Sequence, residues 1–143
     1  PSCLYCRTAI QVLLDTAEKT TLDTIYYIDI EKIWFEMRLN SSNNALKTKN
    51  ETEEYNQLIN LLDERFIKDY KILNDNFEYI DTGKDRIVVP LVLFITNGQI
   101  SSYNIGTLPS QLDPLISFDE SQVEGLSNIY KIGIEDVLKI KHK

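Results

Sequence analysis

Metal ligands are scarce in this chain. It holds two cysteines and one histidine, and the histidine, His142, is the penultimate residue. A structural zinc site takes four ligands, mostly Cys and His, so zinc is disfavoured and neither a metal ligand nor another cofactor is assigned. Cationic side chains are also in deficit, with 15 Lys and Arg against 22 Asp and Glu and a net charge of −7. That balance repels phosphate and weighs against nucleic acid or an anionic membrane surface as partner. No apolar run approaches the roughly 18 residues that suggest a membrane span. No internal repeat or linker divides the sequence. At 143 residues and 43% hydrophobic, it suits one well-buried core rather than two.

Both cysteines fall in one motif, Cys3-Leu4-Tyr5-Cys6. Ile10, Leu13, Leu14 and Ala17 follow it at i, i+3, i+4, i+7 and predict an amphipathic helix running out of the motif. Two cysteines three apart at a helix start lie on one face, near enough to close a small disulfide ring. The positive end of the helix macrodipole and the free first-turn N–H groups favour thiolate at Cys3. Cys6 shares the apolar stripe and is expected to turn inward while Cys3 stays at the exposed tip: one sulfur to attack, one to resolve. Half a zinc site and a static disulfide are the alternatives. A two-residue spacer closes too short a loop to restrict the unfolded chain much, so redox chemistry is favoured. Arg7 either holds negative charge on sulfur or is a solvated first-turn arginine.

Further along, Thr24–Ile30 is β-branched and aromatic and predicts a buried strand. Residues 31–39 predict a short helix, with Trp34, Phe35 and Met37 read as core rather than as a contact patch. Residues 40–50 predict a loop. Tyr55, Leu58, Ile59, Leu62, Phe66, Tyr70 and Leu73 predict one long helix over Glu51–Leu73, capped by Asn50. Asp81-Thr82-Gly83-Lys84-Asp85 predicts a turn. Val88–Thr96 and Ile100–Gly106 flank Asn97-Gly98, a strong hairpin signal. The first of these strands is expected to be central and covered on both faces, with Pro90 at its first residue. A loop over residues 106–117 precedes a final helix starting near Ser117 or Phe118, with Val123, Leu126, Tyr130, Ile134, Val137 and Leu138 inward.

This order (C-x-x-C at a helix start, strand, helix, proline-led strand, Asn-Gly hairpin, strand ending in glycine, terminal helix) resembles the thioredoxin superfamily. The residues carrying the match are Cys3 and Cys6, Val89-Pro90 with Leu91 to Gly98, and Tyr103-Asn104-Ile105-Gly106-Thr107-Leu108. It covers residues 1–30 and 86–143. The resemblance implies an α/β thioredoxin-like fold in a single domain over 1–143, with a central mixed sheet flanked by helices and a helical insertion at about 40–85. It implies that the Val89–Pro90 peptide is cis, that Pro90 packs against the C-x-x-C, and that the Val89 backbone pairs with a substrate peptide. Gly106 matches the glycine of the family's closing strand and joins the substrate-binding residues, and Tyr5 covers the disulfide or contacts substrate.

The chain departs from the family's pattern in three ways. The strand that enters the C-x-x-C is absent from this numbering, so residues before Pro1 are expected, forming a strand and reaching back to a signal or anchor. A strand from a neighbouring chain is the alternative. Pro-Ser-Cys-Leu-Tyr-Cys replaces Trp-Cys-Gly-Pro-Cys, so redox poise does not carry over. The insertion looks like that of thioredoxin-like proteins of low-GC Gram-positive bacteria, among them the bacteriocin transport accessory family and membrane-tethered oxidoreductases. The expected function is thiol–disulfide exchange with protein substrates and a redox partner protein. The expected setting is extracytoplasmic and tethered, with a cytoplasmic one as the alternative. A redox-inactive accessory or binding module, for example in peptide export, is the competing reading.

Overall fold

A computed structural model describes residues 3–141, with side chains through 139; Pro1, Ser2 and His142 lie outside the described residues. The chain is mixed α/β, with four α-helices and three two-stranded antiparallel sheets among the described residues. No described helix is long and apolar enough to cross a membrane. Two compact units divide the chain. One runs continuously over Ile28–Val88; the other is made of the flanks, through Tyr27 and from Val89 onward.

The flanking unit begins with α1, Leu4–Ala17, whose buried face is Ala9, Val12, Leu13, Thr16 and Ala17. This stripe is rotated from the expected one: Leu14 is exposed and Ile10 half-buried. Thr16 takes its inward place because its hydroxyl is satisfied twice, by the Val12 carbonyl at 2.7 Å and by Ser127 Oγ at 2.8 Å. Strand β5 (Leu91–Thr96) and strand β6 (Gln99–Ile105) form the expected hairpin, with Asn97 and Gly98 both at positive φ, 51° and 75°. That pair is the turn a two-residue hairpin needs. Helix α4, Glu120–Lys141, carries the fully buried Leu126, Tyr130 and Ile134. These pack with Val12, Leu13, Ala17 and Phe94 into one core that ties α1, β5 and α4 together.

Among the described residues β5 pairs with β6 alone, at the edge of a two-stranded sheet rather than at the centre of a larger one. The face of the hairpin bearing Ile95, Ile100, Tyr103 and Ile105 leaves these side chains 37–52% exposed. Val123, expected to face inward, is also exposed. Thr24–Ile30 is likewise no strand: it takes no ladder partner among the described residues, and Tyr26 is 91% exposed. β-branched composition makes a strand only where a neighbouring backbone is there to pair.

The Ile28–Val88 unit corrects the expected helical insertion, because most of its regular structure is β. A four-residue helix α2 (Ile30–Ile33) leads into β1 (Glu36–Leu39) and β2 (Ala45–Lys49). These two pair across a turn in which Asn40 Oδ1 accepts the N–H groups of Ser42 and Asn44. Residues 31–39 are thus part strand, and residues 40–50 are half of a hairpin rather than a loop. The long helix is only α3, Glu53–Leu61, capped by Thr52 rather than Asn50: the Thr52 hydroxyl accepts the Tyr55 N–H at 3.3 Å. Asp63 then caps a 3-10 turn, Glu64–Phe66, and the chain continues as β3, Ile67–Leu73, paired with β4, Tyr79–Ile87. The Asp81–Asp85 cluster is a kink inside β4, with Gly83 at φ 66° and its N–H held by Asp81 Oδ1 at 2.8 Å. Phe35, Tyr55 and Phe66 are buried aromatics of this unit, with Trp34 tilted against Phe35 at a ring separation of 5.9 Å and Tyr70 edge-on to it at 5.8 Å. Reading Trp34 and Phe35 as core therefore describes this unit.

Candidate functional site

The chemistry-bearing groups of the flanking unit gather at two places, the start of α1 and the mouth of the β5–β6 hairpin. At the first, Cys3 is the N-cap of α1, with extended backbone (φ −68°, ψ 103°). Its Sγ accepts the N–H of Cys6 at 3.2 Å, and its carbonyl accepts that of Arg7 at 3.3 Å. A sulfur here fills the role that Ser, Thr, Asp or Asn oxygen has at most helix starts, namely satisfying a first-turn donor. Cys3 and Cys6 are joined as a disulfide, with Cα atoms 5.2 Å apart.

Electrostatics at this cap favour negative charge on sulfur. The first turn of α1 holds no acidic residue, so nothing there opposes the partial positive charge of the helix start. On reduction, the Cys6 N–H already directed at Cys3 Sγ becomes a donor to a thiolate, and hydrogen bonds to an ionised acceptor are roughly twice as strong as neutral ones. Tyr5, between the cysteines, is half-buried, and Arg7 is exposed. Cys3 and Cys6 are both half-buried; the expected contrast between an exposed and a sheltered sulfur is not a contrast in exposure.

At the second place, Val89–Pro90 is a cis peptide. Pro90 is buried and stands just before β5, while Val89 is 45% exposed. The Pro90 carbonyl accepts the N–H of Gly106 at 2.8 Å, so the structure brings these two expected site residues together directly. Gly106 sits at φ 74°, a conformation costly for any residue with a Cβ, and it lets the chain leave β6 while its N–H still points at Pro90. The cysteine pair and the Pro90–Gly106 pair belong to the same unit and to elements that share its core.

One participant escapes the sequence reading. Asn104 Nδ2 donates to the Gly106 carbonyl at 3.1 Å, so both backbone groups of Gly106 are held, one by Pro90 and one by Asn104. The signal was available in the alternation of β6: Ser102 and Asn104 are its half-buried positions, while Tyr103 and Ile105 are exposed. Polar residues on the inward positions of a strand beside outward apolar ones invert the usual pattern. Behind Asn104 lies the buried hydroxyl of Tyr130, whose pKa is pushed up to about 12 by burial, an effect the nearby Asn104 side chain partly offsets. Among the described residues the Tyr130 hydroxyl has no hydrogen-bond partner.

Among the described residues no group of three or more His, Cys, Asp or Glu is placed to hold a metal ion. No family model matches the chain, and no curated protein or solved structure matches it.

Proposed function

We propose that this chain is a thiol–disulfide oxidoreductase of thioredoxin-like architecture, exchanging electrons with protein substrates through Cys3 and Cys6. The observation that carries the reading is the cysteine pair at the start of α1, with Cys3 Sγ already accepting a first-turn N–H. Cys3 as thiolate attacks one sulfur of a substrate disulfide. A Cys3–substrate bond forms, the substrate S–S bond breaks, and the substrate's other sulfur leaves as thiolate. Cys6, deprotonated in turn, attacks Cys3 Sγ and expels the second substrate sulfur. Two electrons have then passed to the substrate, and Cys3–Cys6 is oxidised. A dithiol redox partner resets the pair, and the same steps run backward oxidise a substrate dithiol.

Val89 and Pro90 would present the substrate. An exposed Val89 backbone beside a fixed Pro90–Gly106 pair suits β-type pairing with an extended peptide. Tyr5, half-buried between the sulfurs, covers the disulfide. An extracytoplasmic, membrane-tethered setting belongs to the same proposal.

The test is catalytic reduction of insulin by dithiothreitol. A few micromolar protein should accelerate insulin precipitation, and Cys3→Ser should abolish the acceleration while keeping the far-UV spectrum. Equal rates with and without the protein would leave a redox-silent accessory module as the better description.

A further inference from the structure

We propose that the tip of the β3–β4 hairpin, residues 73–79, is a docking surface for a basic, aliphatic segment of another protein, with Phe77 as its anchor. The inference concerns the Ile28–Val88 unit and is independent of the thiol chemistry proposed for the flanking unit.

The tip is built around the buried Asn74. Its Oδ1 accepts the N–H groups of Asn76 and Glu78, each at 2.9 Å, and its Nδ2 donates to the Glu78 carboxylate at 3.1 Å. The Asn74 N–H donates to the Glu78 carbonyl at 2.9 Å, and the Asn74 carbonyl accepts the Phe77 N–H at 3.0 Å. Asp75, Asn76 and Phe77 are left to turn the chain, and the last of them sits at φ 62°. A three-residue hairpin loop calls for glycine at this left-handed position, and a bulky side chain is held there at a cost. Burial does not offset that cost, because Phe77 is 83% exposed. A strained residue that gains nothing inside its own fold points to a use outside it. Tyr79 and its cross-strand partner Leu73 are exposed beside it. Neither the Phe77 nor the Tyr79 ring contacts another aromatic among the described residues.

Charge selects the partner. Asp75 and Glu78 are exposed, and no cationic residue lies within residues 73–79. Neither carboxylate forms an ion pair among the described residues. An arginine or lysine answers both features: it neutralises the carboxylates and lies over the face of an exposed ring. Aliphatic neighbours in the same segment then cover Leu73. The carboxylates repel an anionic bilayer. A tip already fixed by Asn74 loses little freedom on binding.

The test uses the whole chain and a short fluorescein-labelled peptide of leucine and arginine, with a leucine–glutamate peptide as control. Anisotropy titration should give a Kd of about 10–100 μM for the arginine peptide, weakening with salt, and no binding of the control. Amide chemical-shift changes should gather at residues 73–79. Phe77→Asn keeps every charge and places at the left-handed position a residue that tolerates it. Its urea midpoint, read by Trp34 fluorescence, should equal or exceed that of wild type, while peptide binding weakens about tenfold. Asp75→Asn should weaken binding about threefold and flatten its salt dependence. A wild type that does not bind the arginine peptide, or a Phe77→Asn variant that binds it equally well, would overturn the inference. So would a lowered midpoint for Phe77→Asn, which would make Phe77 a packing residue. Binding of wild type to phosphatidylcholine vesicles that Phe77→Asn abolishes would assign the tip to a lipid surface instead.

Discussion

Two glycines in α4 should respond to alanine in opposite directions, and the contrast measures how tightly the hairpin is packed on the helix. In a helix interior Gly→Ala gains about 1 kcal/mol of propensity. At Gly125 a new Cβ would meet only Leu108 side-chain atoms, at 3.4 and 3.9 Å, ordinary contact with the end of a flexible side chain. Gly125→Ala should therefore stabilise by about 0.5–1 kcal/mol. At Gly133 the Cβ would come within 2.5 Å of Phe94 Cδ2 and Cζ and closer still to Cε2. Carbon atoms prefer about 3.5–4.0 Å, so three ring atoms overlap by roughly 1 Å. Phe94 is 6% exposed and belongs to the core joining α1, β5 and α4, which leaves the ring little room to retreat. Overpacking of this kind costs about 1–3 kcal/mol, and here the upper half of that range should outweigh the propensity gain by about 1–2 kcal/mol. Urea unfolding followed by far-UV circular dichroism suits the test, because α1 and α4 dominate the helical signal, whereas Trp34 fluorescence reports on the other unit. With a slope of about 2 kcal/mol/M, the Gly133→Ala midpoint should fall by about 0.5–1 M. Combining it with Phe94→Leu should recover most of the loss, a coupling expected of residues in direct contact. A midpoint for Gly133→Ala that rises as far as that of Gly125→Ala would refute the packing argument.

Other outcomes follow from the same geometry. In the reduced protein, iodoacetamide near neutral pH should label Cys3 before Cys6, because Cys3 Sγ receives the Cys6 N–H at the helix start; peptide mass mapping that finds Cys6 first would reverse the two roles. Folding holds the Tyr130 pKa at about 12 against an ordinary 10.0, so its contribution is whole below pH 10 and is lost as pH rises through 12. Wild type should thus lose up to about 3 kcal/mol over that interval, and Tyr130→Phe should lose visibly less in pH-dependent urea melts. In the Ile28–Val88 unit, the Tyr55 hydroxyl accepts the Ile87 N–H at 3.3 Å. Tyr55→Phe strands that donor and should lower stability by about 1–3 kcal/mol, read by Trp34 fluorescence.

Local chemistry was legible wherever one residue type has one use. Asn97-Gly98 announced its hairpin because few residues other than Asn and Gly adopt positive φ at low cost. The C-x-x-C and the helix after it could be read because their spacing is short-range, and Leu126, Tyr130 and Ile134 because a four-residue repeat over a 22-residue helix has no strand reading. Residues 62–73 were illegible for the opposite reason. Phe66 and Tyr70 stand four apart, as on a helix, yet Tyr70 and Ile72 also alternate, as on a strand. Two other contacts decide between them: Asp63 accepts the Arg65 N–H and ends the helical path, and β4 supplies, six to twenty residues later, the backbone that β3 pairs with. Thr24–Ile30 shows the reverse, a strand composition with no partner among the described residues. The sequence by itself thus determined the cysteine pair, its helix, the proline-led hairpin and the terminal helix, all set by contacts within a few residues. Only the tertiary structure decided that the middle of the chain is β, that Gly106 meets Pro90, and that Asn104 holds the Gly106 carbonyl. Backbone pairing and buried polar contacts join residues far apart in the chain, and no local pattern records which distant group will answer.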